Sequence, residues 1–440
     1  MQESMGVPEL LAPAGSPEKL EYAFAYGADA VYAGVPKFSL RARTNPFKEA
    51  SLRAALDRAR ALGKKLYVTA NILPPNRKLD AFKKALARFA DAGPDAFIMA
   101  DPGMIAYALR EFPQVPVHLS VQTNTINWES AAFWRDQGVR RIILSRELSI
   151  PEIREFHERV PGLELEAFVH GAICIAYSGR CLLSNYFNHR DANQGTCTNS
   201  CRWEYNLARE NPDGTLSRLH NRHDPERVEG EFLIEERERP GQWMPVDEDE
   251  HGTYIMNSKD LRAIEYLRQL QEAGVCSFKI EGRSKTVYYL ARVVKSYRRA
   301  LDDLAQGRPF DRSLLEELSK TSNRGFTAAF LSPGAGGETE RFDSAQEEDL
   351  PQVFAGQITG QRPGWIEIEV KNRIAIGDVL EYLSPGEQKT FELTALEDPS
   401  GRSLTEAHGG AGRVWVPWEG TADAFGLLAR VQKPVPEPVS

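Results

Sequence analysis

The stretch Glu9-Leu-Leu-Ala-Pro13-Ala-Gly-Ser16-Pro17-Glu-Lys-Leu20-Glu-Tyr-Ala23-Phe24 holds one complete strand–turn–helix unit. Glu9–Ala12 is a short apolar run of strand length. Ser16 then offers a helix N-cap, and Pro17 a first helical residue whose missing N–H costs nothing there. Leu20, Ala23 and Phe24 follow at helical spacing on one face. The same alternation recurs along the chain. Further candidate strands are Ala30–Gly34, Leu66–Ala70, Ala96–Ala100, Val117–Val121, Arg141–Leu144, Leu163–Phe168 and Ser277–Ile280, which brings the number to eight. The clearest helix follows the last of them, with Val287, Leu290, Ala291, Val294, Tyr297 and Leu301 in one stripe. Eight strand-then-helix units predict an α/β fold, a closed parallel (β/α)8 TIM-type barrel. An open doubly wound sheet is the alternative, because the number of strands alone does not require closure.

The chain has 440 residues, more than one ordinary core accommodates, so a second domain is expected. The barrel is assigned to residues 1–330, with a large insertion after the seventh strand. That insertion covers a cysteine segment, 174–201, and a polar stretch, 202–254, with a turn signal at Asn211-Pro212-Asp213-Gly214. The acidic run Asp247-Glu248-Asp249-Glu250 reads as a solvated loop. A linker is expected over 331–350, around Ser332-Pro333-Gly334. Short runs at Gln357–Thr359, Trp365–Val370, Val379–Tyr382, Thr390–Leu393 and Arg413–Val416 then predict a small C-terminal all-β barrel or sandwich over 351–436. Its tryptophans, Trp365, Trp415 and Trp418, are expected in its core.

Hydrophobic residues make up 42% of the chain and charged residues 26%, a normal globular balance. A net charge of −8 argues against coating nucleic acid through bulk charge, though a local basic groove is compatible with it. No apolar run is long enough to span a membrane, and Met1–Pro8 lacks the pattern of a secretory signal. A cytoplasmic protein is therefore expected. Clustered cysteines in that compartment read first as metal ligands or catalytic thiols.

Four of the five cysteines, Cys174, Cys181, Cys197 and Cys201, fall within 28 residues as C-x6-C-x15-C-x3-C. Four soft thiolates suit zinc or an iron–sulfur cluster. Only the second pair has the close spacing of a zinc knuckle. The segment begins just after the seventh strand, at the barrel face where such folds keep their chemistry. Cys276 stands apart and reads as a small buried residue. Asn71, Asp101, Gln122, Arg146, His170, Glu281 and Arg283 follow or end candidate strands and are expected at the same face. His170 is a candidate proton donor or acceptor. Alternation places Lys279 and Glu281 on one face of the eighth strand, as a structural ion pair or a functional one. Arg41 and Arg43, after the second strand, suit carboxylates or phosphates.

Longer stretches resemble a known family. Glu166-Ala-Phe168-Val-His170-Gly171-Ala-Ile-Cys174 and Tyr177-Ser178-Gly179-Arg180-Cys181-Leu182-Leu183-Ser184 are similar to the signature of the collagenase-like peptidase family, U32. So are Glu9–Gly15 and Phe278-Lys279-Ile280-Glu281-Gly282-Arg283. Asn185–Asp191, Gln194–Trp203 and Asp247–Leu261 look like its branch of prephenate-dependent tRNA uridine hydroxylases. The resemblance implies hydroxylation of carbon 5 of the wobble uridine of tRNA. It also implies prephenate as co-substrate and a [4Fe-4S] cluster on Cys174, Cys181, Cys197 and Cys201. In that reading His170, Glu281 and Lys279 are catalytic candidates. Arg41, Arg43, Asn71, Gln122, Arg180 and Arg283 are substrate-binding candidates. A peptidase, a hydroxylase of ribosomal RNA cytidine, and a non-catalytic zinc protein binding RNA through its β-domain are the alternatives. The chain has neither H-E-x-x-H nor G-x-S-x-G, so the hydrolase reading lacks its usual signatures.

Overall fold

The computed structural model describes residues 6–40, 46–173, 259–323, 325–331 and 350–432, with the backbone of five short strands between 208 and 254. Eight parallel strands form the barrel: β1 (Glu9–Pro13), β2 (Ala30–Gly34), β3 (Lys65–Ala70), β4 (Ala96–Met99), β5 (Val117–Leu119), β6 (Arg141–Ile143), β7 (Glu164–Ala172) and β8 (Val275–Ile280). Closure is explicit in the register. Lys279 of β8 lies opposite Leu11 of β1 on one side and Phe168 of β7 on the other. The open-sheet alternative is thereby excluded. All eight strands lie where apolar runs predict them. They are short and flanked by helices, so both faces are covered and the runs read as continuous apolar blocks.

The helices pack outside. Helix α1 (Pro17–Ala25) is capped by Ser16, whose side chain accepts from the Lys19 N–H at 3.1 Å. Five more, α2 (Glu49–Ala61), α3 (Leu79–Asp91), α4 (Pro102–Glu111), α5 (Trp128–Asp136) and α6 (Ile150–Arg159), follow β2 to β6 in turn. After α7 (Leu267–Glu272) and β8 comes α8 (Val287–Ala305). Its predicted stripe is buried, but so are Tyr288, Arg292 and Ser296 on another face. The reason is a second neighbour. The Tyr288 hydroxyl donates to Gln352 at 2.7 Å, and its ring stacks on Phe354 of the C-terminal domain. Arg292, 1% exposed, pairs there with Glu381 and with Glu317 of α9 (Ser313–Ser319).

The C-terminal unit is antiparallel and all-β. Its six-stranded sheet runs, in spatial order, Gln388–Glu392, Val379–Leu383, Leu427–Val431, Gln352–Arg362, Trp365–Val370 and Arg413–Pro417. The strand Leu427–Val431 was not anticipated, because its Ala-Arg interior lacks clear alternation. Trp418 is buried as expected, whereas Trp365 and Trp415 are only half-buried and lie against the guanidinium of Arg362. The tryptophans therefore divide between core and surface.

Two features correct the expectation for the insertion and β7. Asp247–Asp249 end the strand Trp243–Asp249, which pairs antiparallel with Gly252–Tyr254, so most of the acidic run is hairpin rather than loop. In β7 the register against β8 slips between Lys279 and Ile280, leaving Val169 as the extra residue of a β-bulge. Beyond the bulge, Gly171 pairs antiparallel with Leu261 of the short strand Asp260–Arg262. Residues 174–207 and 332–349, which hold the cysteine segment and the expected linker, lie outside the described residues.

Candidate active site

Alternation turns every second side chain of each strand inward. Leu11, Ala30, Tyr32, Tyr67, Ala96, Ile98 and Ile143 form a separate apolar cluster inside the barrel. Among them runs a chain of charge. Lys279 Nζ lies 2.7 Å from Glu166 Oε1, and the other Glu166 oxygen lies 3.2 Å from Arg141. Arg141 also reaches Glu9 at 2.9 Å and Glu164 at 2.8 Å. Tyr67 donates to Glu9 at 2.7 Å. Burial pushes the Lys279 ammonium below its usual range, against the opposing pull of Glu166. Burial also opposes charge on Arg141, but Glu166 and Glu9 outweigh it and hold the guanidinium protonated. His118 packs edge-on against Tyr67 and is kept neutral, first by burial and then by Arg141 and Lys279.

The expected pairing of Lys279 with Glu281 is thus corrected. The partner of Lys279 is Glu166, one strand away on β7. Lys279 Nζ also sits 4.5 Å from the Tyr32 ring centroid and 5.5 Å from that of Phe168. Above it lies the mouth formed by the C-terminal strand ends. Arg146 stacks on the Phe168 ring at 3.8 Å, and the Arg283 guanidinium lies 5.9 Å from the Tyr32 ring. Tyr32 is pushed up by burial, reinforced by Glu281 and opposed by Arg283 and Arg146, which places these groups around one ring.

Asn71 and Arg283 share a task that spacing does not disclose. Asn71 Oδ1 accepts from the Leu40 N–H at 3.1 Å, and Arg283 donates to the Leu40 carbonyl. Together they grip the residue just before Arg41. Gln122 is linked to Asn71 through Ser120. Asp101 caps α4, accepting from the Met104 N–H at 2.9 Å. Arg41, Arg43, Arg180, Cys174, Cys181, Cys197 and Cys201 lie outside the described residues.

His170 is not at the mouth, which corrects its expected position. The β-bulge turns it outward, level with Ile280. It is 1% exposed, packed among Tyr289, Tyr297 and Phe326. Its Nδ1 lies 3.3 Å from the Tyr297 hydroxyl. Burial lowers its pKa to about 3, so it is a neutral core residue at physiological pH. Close packing fixes the backbone beside it. Gly171 adopts φ +104°, and a Cβ there would stand 2.5 Å from the Glu281 carbonyl oxygen. A Cβ on Gly15 would stand 1.9 Å from the Arg283 carbonyl oxygen. Both glycines let the end of β8 cross the neighbouring strand ends.

Sequence reading missed Glu166, Arg141 and Glu9 as interior groups. A charged residue at an inward position of a barrel strand was the available signal.

A closed α/β barrel with a charged interior and a polar, arginine-bearing mouth at its strand C-termini has the architecture on which barrel enzymes place their chemistry. The chain belongs to peptidase family U32, which matches residues 15–341, and the family's C-terminal domain matches residues 351–430. It is 47% identical over 424 residues to tRNA hydroxylation protein P of Escherichia coli, covering 93% of each chain. It is 46% identical over 419 residues to tRNA hydroxylation protein P of Haemophilus influenzae, covering 91% of each. It is 30% identical over 400 residues to the 23S rRNA 5-hydroxycytidine C2501 synthase of Escherichia coli, covering 88% of this chain and 54% of that one.

Proposed function

We propose that this protein is a cytoplasmic tRNA-modifying enzyme that hydroxylates carbon 5 of the wobble uridine, with prephenate as co-substrate and a [4Fe-4S] cluster. The observation that carries the reading is the position of the cysteine segment. Strand β7 ends at Ala172 at the barrel's C-terminal face, and the segment that carries the four thiols begins two residues later in the sequence. The names of the tRNA and rRNA hydroxylating relatives support the choice of RNA and of reaction.

The donor set fits such a cluster. Among the described residues, no group of three or more His, Cys, Asp or Glu could hold a metal ion. Cys174, Cys181, Cys197 and Cys201 supply four thiolates, the ligand type such clusters take. When bound, the cluster supplies the one-electron chemistry that side chains lack. In this reading Glu281 holds or moves a proton at the mouth, and Lys279 does so from beneath it, where it is bonded to Glu166. Arg283, with Arg41, Arg43 and Arg180, binds the carboxylates of prephenate or the RNA backbone. His170, neutral and buried behind the wall, stays a packing residue.

The peptidase reading suggested by the family's name draws nothing from Cys276. Its thiol lies 3.3 Å from the Leu165 carbonyl oxygen, and burial pushes its pKa up, away from the thiolate a nucleophile needs.

Protein purified without oxygen tests the cofactor. Iron and acid-labile sulfide that are lost in Cys174→Ala and Cys197→Ala are the expected result; zinc alone would exclude the redox centre. A strain unable to make prephenate should lack the hydroxylated wobble nucleoside, and its presence there would remove prephenate from the scheme.

A further inference from the structure

The polar side chains at the ends of β3 and β5 form a hydrogen-bond relay with a fixed direction. It starts at a backbone donor, the Leu40 N–H, which gives its proton to Asn71 Oδ1 at 3.1 Å. That contact fixes the Asn71 amide, so Nδ2 is the end facing Ser120 Oγ, 3.5 Å away. Ser120 Oγ also accepts from the Gln122 backbone N–H at 3.4 Å. Approached by two N–H groups, the Ser120 hydroxyl must send its own proton elsewhere. It goes to Gln122 Oε1 at 3.2 Å. Reversing the Gln122 amide would leave the serine proton without an acceptor, so the assignment follows from the network.

The relay therefore ends in a donor. Gln122 Nε2 is buried and has no hydrogen-bond partner among the described residues, and Gln122 as a whole is only 7% exposed. Buried donors are almost always satisfied, and this one sits in the turn Val121–Thr123 directly after β5, so the acceptor it lacks is sought at the strand C-termini. Two buried hydroxyls near the relay, Thr69 Oγ1 and Ser39 Oγ, are also without partners among the described residues. Thr69 precedes Asn71 by two residues on the inward face of β3. Ser39 adjoins Leu40, where the relay begins. The relay groups themselves are neutral and suit a ring with carbonyl edges; Arg283 reaches the same place through the Leu40 carbonyl, while the Arg146 guanidinium lies on the Phe168 ring.

We propose that Gln122 is a specificity-determining residue that donates from Nε2 to the C4 carbonyl oxygen of the target uracil. The inference rests on the RNA-hydroxylase reading. A cytosine presents an amino group at the same place, so donor would face donor. The relay prevents Gln122 from turning its oxygen outward to accommodate it.

The test measures binding of two anticodon stem-loops, identical except for U or C at the wobble position, to the full-length protein and to Gln122→Leu and Gln122→Glu. Wild type should favour the U stem-loop by roughly tenfold, the value of about one hydrogen bond to a buried donor. Gln122→Leu should bring the two affinities together. Gln122→Glu, close in shape and folding as wild type by thermal melting, should favour C. Retention of the U preference in both variants would overturn the proposal. So would loss of prephenate binding in Gln122→Leu with the U preference intact, which would give the donor to the acid. Failure of wild type to bind either stem-loop would instead sink the RNA reading, and this proposal with it.

Discussion

Removing the Glu166 carboxylate should unmask the cost of the buried lysine beneath the mouth. Glu166 is fully buried and is the carboxylate bound to Lys279, itself 3% exposed. Arg141 is less dependent on it, because Glu9 and Glu164 remain within 2.9 Å and 2.8 Å. Breaking a buried pair by deleting one partner costs about 3–5 kcal/mol, since the other charge is left stranded. Glu166→Leu should fall in this range, mostly through Lys279. With an unfolding entropy of about 2.1 cal/mol/K per residue over a barrel of roughly 300 residues, that is a fall in Tm of about 5–8 °C. Replacing both partners, as Glu166→Leu with Lys279→Met, should recover most of the loss, because the charge no longer has to be buried. Denaturant unfolding of wild type, both single variants and the double variant gives the coupling. A double variant as unstable as the sum of the singles would refute the stranded-charge reasoning. The same protein also separates structure from chemistry. If it folds like wild type but leaves tRNA unmodified, the Glu166–Lys279 pair acts in the reaction; if it modifies tRNA, the pair is structural.

Other consequences follow from the same geometry. His170 has a folded pKa of about 3 against 6.5 unfolded, so below 6.5 the unfolded chain takes a proton that the folded one refuses. Its contribution is full above that value and falls as pH drops toward 3, with an upper bound of about 5 kcal/mol. Urea midpoints between pH 6.5 and 4.5 should therefore decline less steeply in His170→Phe than in wild type; equal slopes would contradict a neutral buried imidazole. Glu381→Ala should destabilise the domain junction by about 3–5 kcal/mol, because Arg292 loses its most buried partner. The thermogram should then show the C-terminal domain melting earlier, and a single unshifted transition would argue against that brace. Gly171→Ala should cost more than about 1 kcal/mol, combining a positive φ with a Cβ driven onto the Glu281 carbonyl. An unchanged Tm would show that β8 crosses β7 with room to spare.

The barrel was legible because each strand–helix unit carries its own local signals, as Glu9–Phe24 illustrates with an apolar run, an N-cap and a helical stripe. Closure was not, since it depends on β8 meeting both β1 and β7, a relation between residues more than 260 positions apart in one case. Strand ends predicted which residues reach the mouth, and Asn71, Gln122 and Arg283 lie there. Alternation failed at His170, because a one-residue bulge at Val169 reverses the side on which later residues fall. It also could not choose the partner of Lys279: Glu281 shares its strand face, but Glu166, opposite Ser277 on β7, reaches it at 2.7 Å. The burial of Tyr288 and Arg292 on a second face of α8 depended on a domain docking from elsewhere in the chain. The direction of the Gln122 relay required the Leu40 N–H, which no side-chain motif encodes.

The most direct test of the central claim is nucleoside mass spectrometry of tRNA from a bacterial strain lacking its own wobble-uridine hydroxylases and expressing this chain. Appearance of 5-hydroxyuridine or its derivatives at the wobble position, and its loss with Cys174→Ala, is the result the account predicts. Unmodified wobble uridine in cells that accumulate the folded, cluster-loaded protein would contradict it.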